Sequence, residues 1–470
     1  MINKYGLFIL LTICFGNCWA QITFSSLQFG DPAGNNRGSA AVFDDALNIW
    51  FAGTARNFEN NTDDIALTKL DKNGNIKFAY LYGDGHNEFV NNMVFFDNTY
   101  SIVCGDQTDT LTGNTNGFIM KTDTAGNLIW FKSYGNGISN EDFYGLTLLQ
   151  NGDIAVTGFV TGAIGTGNDV LTVIYNQDGD FIQEIVFGDN TNEYGMSLIE
   201  LPSGDLIISG DKEISATVYN PFYARVTREE NIVFNQAFGI DENSGCKSML
   251  LNNNGNLVFS GEVAGVIDPQ FDLLIAEADT LGNILFINST PGLGIEAGYD
   301  IAIASDSTYY VTGFGYNPLA TENDMVFFLI DAAGEILQRK FFENGGADLG
   351  YDIKRIDDTH FLAAGFSTQF GTLMFTLVYD MFETGDIVKN TISNNNVQIF
   401  PQPAANILNL TSNENIQSIR IQSLAGNFLL GQDGMNSKNV QLNIDLPLSV
   451  YMITIVTTDN IITKKIIAGQ

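Results

Sequence analysis

Histidine is almost missing from this chain: His86 and His360 are the only two among 470 residues. A Ser-His-Asp or Cys-His set needs an imidazole beside its nucleophile, and His360 falls in a short hairpin turn away from the long loops, so no such set is expected; a His/Cys metal centre needs several such ligands together, and no cluster of them exists. Cysteine is scarce too. Cys14 and Cys18 fall within the first twenty residues, and Cys104 and Cys246 lie so far apart that no disulfide is expected. Basic residues number 21 against 54 acidic ones, a formal net charge of -33. A surface this negative repels phosphate backbones and anionic lipid, leaving metal cations and cationic groups as the partners it attracts. Past the first twenty residues no apolar run approaches the ~18 residues of a membrane-spanning helix, so no transmembrane segment is expected in the mature chain.

Those first twenty residues read as a secretory signal: Lys4, an apolar run from Tyr5 to Phe15, then Asn17-Cys18-Trp19-Ala20 with small residues three and one before the cut. Residues 1–20 are expected to be removed and the mature chain to begin at Gln21. A lipoprotein processed at Cys18 is the alternative, but Phe15-Gly16-Asn17 is a poor approach to a lipidated cysteine.

What the chain has in quantity is glycine, and it recurs on a period. Gly53, Gly105, Gly158, Gly210, Gly261, Gly313 and Gly365 are separated by 52, 53, 52, 51, 52 and 52 residues. Each ends a run of β-formers and one small residue: IWFAG, SIVCG, IAVTG, LIISG, LVFSG, YYVTG, FLAAG. Cys104 takes the small-residue slot and is expected to be a buried hydrophobe. In phase with these run Asp/Asn-rich turns at Asp71, Asp123, Asn176, Asp279 and Asp331, with Phe382-Glu383-Thr384-Gly385-Asp386 as a further example. Two markers on one period mean one supersecondary unit repeated seven times between 22 and 390.

Within one unit, Tyr144 to Gly188, four short runs rich in Val, Ile, Leu, Thr and Phe alternate with turn clusters. Four antiparallel strands make a sheet that cannot bury both faces alone, so neighbouring sheets must stack. The expected fold is all-β, a seven-bladed β-propeller of four-stranded blades. An open β-solenoid fits less well, because its turns are shorter and it needs end caps that the sequence lacks. Ile22 to Gly30 resembles a fourth strand with no first three before it, while the last repeat has only the weak Asp386 to Asn390. The N-terminal strand is therefore expected to complete the last blade; the alternative is that it lies loosely outside.

Residues 391–396 (TISNNN) read as a linker, and 397–470 as a separate small immunoglobulin-like β-sandwich of alternating strands. Its four acids balance its four bases, so the repeat region carries the charge excess.

The repeat, with its V-T-G second strand and D-x-x-G-N turn before an aromatic fourth strand, resembles the β-propeller repeat of secreted bacterial proteins. The tail resembles the C-terminal sorting domain of the type IX secretion system of Bacteroidetes. Phe400-Pro401-Gln402-Pro403 stands where that family has an aromatic and Pro-Asn-Pro, Gly426 at the mid-domain turn, Leu446 to Tyr451 near L-x-x-G-x-Y, and Lys464-Lys465 near the end. Gln402 and Ser449 depart from the family Asn and Gly. The resemblance implies export by the type IX machinery to the cell surface or the extracellular space, with Pro401, Pro403, Gly426, Tyr451, Lys464 and Lys465 in the sorting signal.

In an up-and-down blade the second-to-third loops and the blade crossovers share one face, and here they are long and variable. Recognition is expected there, since loops on a rigid scaffold carry it. Glu88, Glu141, Glu193 and Glu296 enter the first strands; they either ring the channel and hold Ca2+ or cap turns and face water. Asp64, Asp169, Asp272 and Asp324 before the third strands are Asx-turn residues or ligands. Tyr144, Tyr194, Tyr299 and Tyr351 start the innermost strands and either stack on sugars or pack between blades. A secreted binding or scaffold protein for a glycan, protein or surface component is the leading reading. A carboxylate-based polysaccharide-acting enzyme and a structural adhesion protein are the others.

Overall fold

The β-forming segments that recur between turn clusters gather four at a time into antiparallel sheets. The computed structural model describes residues 3–6, 12–14, 26–31, 33–96, 99–109, 112–135, 137–216, 218–239, 243–264, 271–290, 295–317, 322–342, 346–357, 360–368, 373–381, 397–400, 407–423, 428–432, 434–444, 446–447, 449–457 and 461–468. Two compact units emerge, residues 1–264 with 270–383, and 265–269 with 384–470.

The larger unit holds seven sheets, blades 1 to 7 in chain order. Their first strands are Arg37–Phe43, Asn87–Phe96, Glu141–Leu148, Glu193–Glu200, Ser244–Leu251, Glu296–Ser305 and Asp348–Arg355. Each touches the first strand of the next blade, and the seventh touches the first, so they form a closed inner ring. Each also lies on the second and third strands of the blade before it, which covers both faces of every sheet. Clusters such as Trp50, Val103, Phe118 and Met120 fill these blade-to-blade contacts. The result is a seven-bladed β-propeller.

Closure joins distant parts of the chain. Ser26–Phe29 pairs antiparallel with Met374–Met381 as the fourth strand of blade 7, burying Leu27 and Phe29 against Phe51, Phe375 and Leu377. The Asp352 carboxylate of blade 7 accepts the Ala41 N–H of blade 1 at 2.7 Å, and Asp300 of blade 6 accepts the Ile353 N–H at 2.9 Å. Lys354 bridges both carboxylates. The rival fourth strand, Asp386 to Asn390, the FETGD turn and the linker lie outside the described residues. Asn3–Gly6 and Thr12–Cys14 add outermost strands to blades 1 and 7. Each is an edge strand beyond the four strands that make up its blade.

The turn motif is a hairpin device. Asp71 accepts the N–H groups of Asn73 and Asn75, and the same pair of bonds recurs at Asp123, Asn176, Asp279 and Asp331. The glycine of each turn takes positive φ, as Gly74 does at 80°. Cys104 and Cys246 are both buried free thiols.

In the smaller unit one long strand, Ile407–Ser423, is the centre of a six-stranded sheet. Its first half pairs with Val397–Phe400 and Ser437–Asn443, its second with Phe428–Gln432 and Ser449–Thr457. Leu408, Leu410, Ile419, Ile421, Tyr451, Ile453 and Ile455 form the unit's buried core. The Tyr451 hydroxyl donates to the Pro447 carbonyl at 2.5 Å, while Lys464 and Lys465 pair with Ile453 and Met452 in the last ladder. Pro401, Pro403 and Gly426 lie outside the described residues.

Candidate functional site

A β-bulge inserts one extra residue and re-aims the side chains around it. Every first strand of the ring carries one at the same point, at Ser39, Asn91, Tyr144, Met196, Lys247, Tyr299 and Tyr351. The bulge explains the marker glycines. It presses a backbone carbonyl onto the second strand, so a Cβ on Gly158 would stand 1.7 Å from the Asp142 oxygen. At the other six markers the same carbonyl would be 1.8 to 2.3 Å away.

The seven bulge residues and the seven that follow the marker glycines make a double collar around the inner ring at its long-loop end. The collar is not symmetric. In blades 3, 6 and 7 bulge and post-glycine residues are a Tyr/Phe pair: Tyr144 with Phe159 at 6.0 Å, Tyr299 with Phe314 at 5.5 Å, Tyr351 with Phe366 at 5.7 Å. Tyr299 and Tyr351 stack with centroids 5.2 Å apart and planes within 1° of parallel. Phe159 also meets Tyr194 edge-on at 5.3 Å. Tyr351 is the most open of these rings, at 38% exposure.

Charge occupies the sectors between the aromatic ones. On one side Lys247 reaches Asp211 at 3.1 Å and Glu262 at 3.3 Å; burial works against its charge, but the two carboxylates outweigh that and hold its pKa above the ordinary value. On the other, Asn91 donates to Asp142 at 3.1 Å and to the Phe143 carbonyl at 3.0 Å. Burial, then the Asp142 charge, lifts Asp106 above the usual carboxylate range. Burial lifts Asp142 as well, opposed by hydrogen bonds from Tyr144, the Phe143 N–H and Asn91. Blade 1 contributes the small polar pair Ser39 and Thr54.

The four glutamates sit elsewhere than either expectation placed them. Glu88, Glu141, Glu193 and Glu296 are 0 to 3% exposed, so they neither offer oxygens to an open channel nor face water. All four lie three residues before the bulge, and three are tied into their own blades by a second- or fourth-strand side chain: Glu88 by Gln107 at 2.8 Å, Glu193 by Lys212 at 2.6 Å, Glu296 by Arg339 at 2.8 Å. Among the described residues no group of three or more His, Cys, Asp or Glu is placed to hold a metal ion. Asp64 is also fully buried, accepting from Asn57 and Thr62 at 2.7 Å each, and Asp169 accepts the Ile164 N–H at 2.6 Å. Tyr144, Tyr299 and Tyr351 come together in the collar as bulge residues. Tyr194 stands two residues earlier in its strand, and Met196 takes the equivalent place.

Sequence reasoning missed Phe159, Phe314, Phe366, Asp106, Asp211, Glu262 and Lys247. The trace was present: in three repeats a Tyr precedes a post-glycine Phe by fifteen residues. Only the bulge gives that spacing meaning.

Glu88 yields a stability prediction. Burial first, then the charges of Asp64, Asp84 and Asp106, push its carboxyl up to about 9 against the hydrogen bond from Gln107. The folded ring therefore keeps this group protonated where the unfolded chain ionises it, so stability falls as pH rises from about 4.5 to about 9. Glu88→Gln should remove that part of the slope, raising the melting temperature by several degrees at pH 8 and hardly at all at pH 4. Parallel melting curves across that window check it.

The family model described as the secretion system C-terminal sorting domain matches residues 398–469. No curated protein matches the chain. Among solved structures, a protein of unknown function from Dyadobacter fermentans aligns at 11% identity and TM-score 0.43 over 63% of this chain and 95% of that one. The β-propeller domain of the Trilobed protease from Pyrococcus furiosus aligns at 10% and 0.43 over 76% and 98%. An α-L-arabinanase from Penicillium chrysogenum aligns at 11% and 0.41 over 62% and 93%. Likeness at this level says nothing of chemistry, and the propeller assignment rests on the chain's own sheets.

Proposed function

We propose that this chain, which carries a sorting domain for type IX export to the cell surface or extracellular space, is a binding module that takes a saccharide at the collar. The observation carrying this reading is the asymmetry of a seven-fold scaffold. Packing alone would repeat one residue type around the ring, whereas Tyr/Phe pairs fill three blades and the other four carry Ser39 with Thr54, Asn91 with Asp106, Met196 with Asp211 and Lys247 with Glu262, all but Met196 hydrogen-bonding side chains. A sugar offers both a flat C–H face for a ring and hydroxyls for carboxylates and amides. Removing the exposed ring of the stacked pair, Tyr351→Ala, should weaken binding about tenfold, since an aromatic contact contributes about 0.5–1.5 kcal/mol beyond its area. A glycan array followed by calorimetry reads this, with Phe181→Ala on an outer strand as the unaffected control. No binding by the folded wild-type protein would end the proposal.

A second reading, a carboxylate-based polysaccharide-acting enzyme, draws on Asp106 and Asp142. Two facing acids held above the usual range are what acid–base chemistry on a glycosidic bond employs. Asp142→Asn separates the two readings: it abolishes turnover of a polymer if the pair is catalytic, and only trims affinity if the site merely binds.

A further inference from the structure

The seven-fold repeat allows each site to be compared with its counterparts in the same molecule. Beside the first-strand glutamate of blade 4, the facing residue of the second strand is Lys212, whose ammonium lies 2.6 Å from Glu193. In blade 6 the facing residue is Gly315, and the guanidinium of Arg339, from the fourth strand, comes within 2.8 Å of Glu296. Blade 3 has neither cation. Its facing residue is Val160, and the counterpart of Arg339, 155 residues earlier, is Glu184.

What blade 3 has in that place is a cavity of about 290 Å3, lined by Glu141, Glu184, Tyr134, Val160, Leu171 and Val186. Glu141 is 3% exposed, and its Oε2 has no hydrogen-bond partner. Glu184 is exposed at the entrance and accepts the Tyr134 hydroxyl. Asn116 Oδ1, likewise without a partner, lies close by: a Cβ on Gly135 would stand 2.3 Å from it and 2.5 Å from Glu141 Oε2. Turning the Asn116 amide would supply one N–H, but it would leave the cavity and its charge uncompensated. Ile138 and Ile164, 83% and 41% exposed, adjoin the lining residues Ser139 and Ala163.

We infer that the seam between blades 2 and 3 is a second binding site, which takes a basic side chain, guanidinium or ammonium on a hydrocarbon arm, from another polypeptide. The cationic head replaces what Lys212 and Arg339 supply inside blades 4 and 6, and the arm lies along Val160, Leu171 and the isoleucine rim. This site is separate from the collar and stands whether or not a saccharide binds there. The chain's net charge of -33 draws basic partners toward it.

The test uses the full chain with N-acetylarginine methylamide and N-acetyllysine methylamide as probes, and N-acetylcitrulline methylamide as the uncharged isostere. Titration calorimetry and chemical shifts of the blade 3 amides should show binding of at least one charged probe and at least tenfold weaker binding of citrulline. Val160→Lys and Glu184→Arg each rebuild an arrangement the protein already holds elsewhere, so each should fold, fill the cavity and weaken probe binding at least tenfold. Spermidine distinguishes a free polyamine: binding of spermidine alone would overturn a polypeptide occupant. Failure of both charged probes at 10 mM, or undiminished binding to both filled variants, would overturn the site. Should either variant misfold, the contrast between charged probes and citrulline on the wild type decides the matter.

Discussion

Phe29→Ala should open the ring. This residue comes from the first part of the chain yet belongs to the last blade, where its ring meets Phe51 of blade 1 at 5.0 Å and Phe375 of blade 7 at 5.4 Å with no solvent exposure. Truncating a buried Phe costs about 3–5 kcal/mol through lost contacts and the cavity left behind. Here the loss falls on the strand that closes the ring, held by only four paired positions. Denaturant unfolding should move to lower midpoint, and amide exchange should accelerate first in blades 7 and 1. Phe181→Ala, at 54% exposure on the outer strand of blade 3, should change stability by less than about 0.5 kcal/mol. Equal midpoints for the two variants would show that the N-terminal strand does not hold the ring shut.

Gly158→Ala should be comparably damaging for a different reason. Its φ is not left-handed, so an alanine suits the backbone itself; what it lacks is room. The added methyl carbon would sit 1.7 Å from the Asp142 carbonyl oxygen and 2.7 Å from its carbon, both main-chain atoms of the bulged strand. Neither can rotate away, so the bulge must flatten or the two strands must part. Overpacking of this kind costs about 1–3 kcal/mol or more, and it should also displace Tyr144 and Phe159, weakening collar binding. Gly113→Ala is the informative control: at φ 77° with nothing within 4 Å, it should lose only about 1 kcal/mol from backbone strain. Melting curves and collar affinity measured together check both halves. A Gly158→Ala protein as stable as wild type would mean that the bulge is not needed for the blade.

The period of the glycines, the Asx turns and the orphan fourth strand at the N-terminus are local signals, because hairpins and short strands are set by residues a few positions apart. Stacking of half-buried sheets then follows from the need to cover their faces. So the propeller, its blade count, its closure by Ser26–Phe29 and the separate tail could all be read from residue order. Lys464, Lys465 and Tyr451 could be placed near the end of that tail by motif alone.

Side-chain direction could not be read in the same way. One inserted residue in each first strand reverses which side of the pleat its neighbours face, and nothing in the local sequence marks Tyr144 as the insertion and Tyr194 as not. That is why four glutamates at strand entries were expected at a channel or in water and are instead buried in the blades, and why Phe159, Asp106 and Lys247 went unnoticed. The pairing of Glu193 with Lys212, and the lack of such a cation beside Glu141, exist only across strands. Repeat and turn chemistry determined the scaffold; the bulge and the contacts between blades decided which side chains the scaffold presents.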